Sequence, residues 1–135
     1  MNLRYTLAAA LLAAAAASAA PTPEQARARF VDFTDLAQLA GTVHKEAEQC
    51  GLSKKDDPFF APGGELHRSL LRGLKKYAAA AGLKLDDRRI AEAAGEAYAK
   101  GRASEKIFTA DGCTAQAKEK IRQTQQWLLQ TAKQS

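Results

Sequence analysis

From residue 26 onward, apolar side chains return every three or four positions: Ala26, Phe30, Phe33, Ala37, Ala40, Val43, Ala47 and Cys50. An α-helix repeats every 3.6 residues, so this spacing lines them up as one stripe. No segment alternates apolar and polar residues as a half-buried strand does, and no internal repeat is visible. The chain is therefore predicted to be all-α, a small bundle of about four helices.

The boundaries follow from capping chemistry. Thr22 can cap the first helix, Pro23 suits its first turn, and Glu24 favours the positive end of its dipole. Gly51 is a natural stop, and Gly41 is expected to bend or split the run. A second helix is predicted from Glu65 to Ala81, with Leu66, Leu70, Leu74, Tyr77 and Ala81 inward and Gly82 at its end. The third starts near Asp86 and Asp87 and carries Ile90, Ala94, Ala97 and Gly101, widened by Ala91, Gly95 and Tyr98. Its small side chains let neighbouring backbones approach, which places it in the middle of the bundle. Arg88, Glu92, Glu96 and Lys100 on its outer face can pair along the surface. The last helix runs from about Cys113 toward Ala132, with Asp111 or Thr109 as its cap and Cys113, Ala117, Ile121, Thr124 and Leu128 on one face. Ile107 and Phe108 are expected to plug one end of the core.

The N-terminus reads as an address. Arg4 is followed by an unbroken Leu/Ala run from Leu7 to Ala17, then the small residues Ala17, Ser18 and Ala19. That order is a secretory signal, and the run is too short to span a bilayer, which takes about 20 residues. The predicted division is a signal peptide at 1–19 and a single helical domain at 20–135. No cysteine lies near the cut, so a lipoprotein is not expected; a periplasmic or secreted location is. Cleavage removes Arg4, so the 20 basic residues become 19 against 15 acidic ones, a net charge of +4. These charges are mixed along the chain, with no basic stripe for phosphates and hence no expected nucleic-acid partner.

Cys50 and Cys113 are the two cysteines of the chain. An even pair in an exported domain predicts a disulfide, here joining the end of helix 1 to the start of helix 4. It closes a loop of about 64 residues, a constraint worth about 4 kcal/mol in the chain-entropy model. There is no Cys-x-x-Cys for redox exchange.

Few residues suggest chemistry. His44 and His67 lack zinc-ligand spacing, Met1 is the only methionine, and no cofactor or metal is expected. Both histidines read as polar or boundary residues. No Gly-x-Ser-x-Gly elbow, free thiol or phosphate loop is present, so no catalytic residue is assigned and the chain is read as not an enzyme.

Two features suggest binding. The segment 52–64 holds two prolines and two glycines and reads as a long loop. Within it, Lys54 and Lys55 lead to Phe59 and Phe60, which either offer an aromatic anchor to a partner or fold back over the bundle end. On helix 2, Arg68, Arg72, Lys75 and Lys76 lie within about 100° of one another opposite the apolar stripe. They could meet an acidic partner or an anionic lipid in peripheral membrane contact, or simply form a solvated face. The expected function is a non-enzymatic periplasmic or secreted binding protein with a protein partner in the cell envelope: an inhibitor, an immunity protein or a chaperone-like protein. The alternative is an accessory structural component of an envelope or secretion assembly, and after it an unrecognised small enzyme.

Overall fold

A computed structural model describes residues 20–104 and 112–135. Among them lie four helices and no strand: α1 (Pro23–Gln49), α2 (Glu65–Ala80), α3 (Asp87–Arg102) and α4 (Ala115–Lys133). The signal segment, Ile107, Phe108 and the proposed caps Thr109 and Asp111 lie outside the described residues.

Each helix begins where its capping residue can act. Thr22 accepts from the Gln25 amide at 3.1 Å, and the Gln25 side chain accepts from the Thr22 amide at 3.0 Å, a reciprocal capping box. Asp86 caps α3 through the Arg89 amide. Thr114 caps α4 through the Ala117 amide, so the helix starts just past Cys113. Gly51 and Gly82, with φ of 70° and 73°, take the left-handed turns that follow α1 and α2.

The inward stripes match the spacing closely. Ala26, Phe33, Ala37, Ala40, Val43, Ala47 and Cys50 are buried, as are Leu66, Leu70, Leu74, Tyr77 and Ala81. Ile90, Ala94 and Ala97 of α3 and Ile121, Leu128 and Ala132 of α4 complete the core. Cys50 and Cys113 are bonded, with Cα atoms 5.4 Å apart, and tie the end of α1 to the segment just before α4.

Two expectations are corrected. Gly41 does not split α1, which is continuous over 27 residues. Its role is contact: a Cβ there would lie 2.0 Å from the Tyr98 carbonyl oxygen, and one on Gly101 would lie 1.8 Å from the Gln38 carbonyl oxygen. The two glycines let the α1 and α3 backbones touch, and the Thr42 hydroxyl donates to the Gly101 carbonyl at 3.1 Å across the seam. The central helix is α1, not α3. α1 packs against all three others, while α3 rests on α1 and, lightly, on α2. Small side chains gave α3 closeness to one neighbour rather than burial on every side; Ala91 and Gly95 of its presumed inner face are exposed.

Candidate functional site

A concavity lies between α1 and α4. Leu36 and Leu39 form a second apolar stripe of α1 with Val43, three and four residues apart. Trp127 of α4 faces it. Phe33, Leu36, Leu39 and Trp127 line a groove of about 670 Å³. Trp127 and Leu39 are half-buried and keep apolar surface at its wall. A concave, mainly apolar surface with a few polar groups on its edge is the form that binding sites take.

The edge is acidic. Asp32 and Asp35 project one turn apart on α1, with Arg29 beside them. None of the three is in an ion pair among the described residues. Asp32 is an exposed residue, yet the groove wall strips water from its carboxyl and holds its pKa above the usual 3.8; Arg29 opposes the shift and Asp35 adds to it.

The long loop is organised around a buried histidine. His44, 2% exposed, stacks on Phe60 with ring centroids 4.2 Å apart. The Tyr98 hydroxyl bonds to its Nδ1. Its Nε2 lies 2.8 Å from the Lys54 carbonyl and 3.1 Å from Glu48 Oε1. Both of those are acceptors, so Nε2 carries the proton and Nδ1 accepts from Tyr98. Glu48 in turn takes a two-pronged contact from Arg102, at 2.9 and 3.1 Å. That guanidinium holds the Glu48 carboxyl below its usual range. Burial pushes the Tyr98 phenol up, so it stays protonated at neutral pH. With both imidazole nitrogens engaged, the arrangement fastens the loop to α1 and α3. Asp57 completes the loop, accepting from the Ser53 hydroxyl at 2.6 Å and the Phe59 amide at 2.9 Å.

The residues singled out from sequence fall as follows. Phe60 is buried, and the half-buried Phe59 meets it edge-on at 4.8 Å. The pair therefore folds back on the bundle, and Phe60 offers no free anchor. Lys54 and Lys55 are exposed beside it. Arg68, Arg72, Lys75 and Lys76 are exposed on α2, and each has a neighbour. Arg68 donates to the Gly63 carbonyl, and Arg72 to Ser69 at 3.0 Å. Lys75 pairs with Asp87 at 3.1 Å, and Lys76 sits over the Tyr77 ring. Sequence reasoning missed Trp127, Asp32 and Asp35. The signal that could have found the groove was Leu36 and Leu39, two apolar residues of α1 outside the stripe that runs from Ala26 to Cys50. Among the described residues no three metal-ligating side chains cluster, and no helix is long and apolar enough to cross a membrane.

No family model matches the chain, and neither a curated protein nor a solved structure is detectably similar to it.

Proposed function

We propose that this chain is a non-enzymatic binding protein of the cell envelope, of the inhibitor, immunity or chaperone-like kind, and that it holds its protein partner in the α1–α4 groove. The observation that carries this reading is the pairing of an apolar groove around Trp127 with two carboxylates on its rim that form no salt bridge among the described residues. Charge complementarity names the occupant: a partner segment with an apolar side chain for the groove and a lysine or arginine for Asp32 and Asp35. Trp127 adds a ring face for the same cation. The secretory character of residues 1–19 and the Cys50–Cys113 bond support an oxidising compartment.

The test is capture from the envelope fraction of the source cell by the oxidised protein, followed by reconstitution with the purified partner. Trp127 is the only tryptophan of the chain, so its fluorescence reports groove occupancy directly. One stoichiometric partner is expected. It should quench or shift Trp127, be lost with the Leu39→Asp/Asp32→Lys double variant, and be retained by Lys75→Glu/Lys76→Glu on α2, outside the groove. A partner held equally by the groove variant, or no partner at all, would overturn the reading.

A further inference from the structure

A second cavity, of about 120 Å³, lies where α1, α2 and α3 meet beneath the long loop. Ala37, Leu70 and Ala94 supply apolar wall from the three helices, and Phe60 closes the loop side. It opens to the surface beside Pro62 and Gly95, both exposed, so a guest can enter from solvent and need not be wholly enclosed.

The cavity has an unusual gatepost in Gly95. This glycine lies inside α3, where glycine is unfavourable relative to alanine. It has no positive φ to justify it. Nor does a neighbour demand it: a Cβ built there meets nothing within 4 Å, in contrast with Gly41 and Gly101. Gly95 lines the cavity, and the effect of its missing side chain is to leave the space open.

His67 is the polar counterpart. The Gly63 amide donates to its Nδ1 at 3.2 Å. Nδ1 is therefore unprotonated, and the ring proton sits on Nε2. Burial favours this neutral form. No hydrogen bond occupies Nε2–H among the described residues, so the ring keeps one donor for a guest. Tyr98, also at the cavity, is already engaged with His44. The lining is otherwise apolar, which disfavours a charged guest.

We propose that this cavity binds a small neutral carbonyl compound, an aryl or short alkyl ketone in size, with its apolar body against Ala37, Leu70 and Ala94 and its oxygen accepting from His67 Nε2–H. The site is separate from the α1–α4 groove and stands whether or not a protein partner binds there.

Acetophenone and its near-isostere α-methylstyrene, which replaces the carbonyl oxygen by a methylene, are the probes. Each is titrated into the oxidised protein while two-dimensional NMR follows the Gly95 amide and the His67 ring nitrogens. Acetophenone should shift both in a saturable way. α-Methylstyrene should bind roughly threefold to tenfold more weakly, the worth of one hydrogen bond. His67→Phe should erase that difference. Gly95→Leu should abolish binding of both probes, and the milder Gly95→Ala should weaken it without lowering the thermal midpoint. Equal affinity for the two probes, no saturable shift at either site, or binding unchanged by both Gly95 variants would each overturn the proposal.

Discussion

Glu48 connects three elements through two oxygens: it meets His44 on its own helix, takes the Arg102 guanidinium from α3, and sits beside the Lys54 carbonyl of the loop through the shared His44 proton. Its folded-state pKa lies below 4.5. A depressed carboxylate pKa contributes stability that is complete above the unfolded value and is lost as pH falls through the folded one. Urea unfolding of Glu48→Gln against the parent should therefore show a deficit of about 1 kcal/mol near pH 6, shrinking steadily below about pH 4.5. A deficit independent of pH would mean that packing, not charge, holds Glu48 in place. At this scale the sequence was legible only in part. His44 read as a boundary residue because it follows Val43 on the rim of the α1 stripe. The groups that bury it, Phe60 and Tyr98, are 16 and 54 residues away in sequence, a relation no local spacing encodes.

Glycine shows how an element's sequence acquires meaning only from its neighbour. Gly95 and Gly101 sit on the same helix, six residues apart, and local propensity treats them alike. Their surroundings do not. Gly101→Ala forces a methyl onto the Gln38 carbonyl of α1 and should cost about 3 kcal/mol, because two backbones must separate. Gly95→Ala meets open space and should stabilise by up to about 1 kcal/mol. Thermal or denaturant unfolding of the two variants checks the opposite signs; a destabilised Gly95→Ala would mean that α3 is not set as described. The helices themselves, with their caps and inward stripes, were visible from Thr22, Asp86 and the three-and-four spacing. The hub position of α1 was not, since small residues announce a close approach without saying from which side.

For the molecule as a whole, the covalent constraint is Cys50–Cys113, which spans 63 positions. Removing it with Cys50→Ala/Cys113→Ala should cost about 4 kcal/mol and lower the melting temperature by roughly 10–20 °C. Calorimetry on the parent under oxidising and reducing conditions should give a matching drop. A reduced protein that melts with the oxidised one would show that helix packing alone carries the fold. The bond was readable from cysteine count and the export signature. The α1–α4 groove was not, because it forms only when Leu39 and Trp127, 88 positions apart, are brought face to face.

The two seams of α3 set different terms for future change. Where α3 meets α1, glycines 41 and 101 leave no room for any larger residue, and drift there ends in unfolding. Where it faces α2, position 95 has room for a methyl that touches nothing within 4 Å. A lineage could therefore narrow that cavity through position 95 alone, while its other walls, Ala37, Leu70 and Ala94, stay bound to the core they also build.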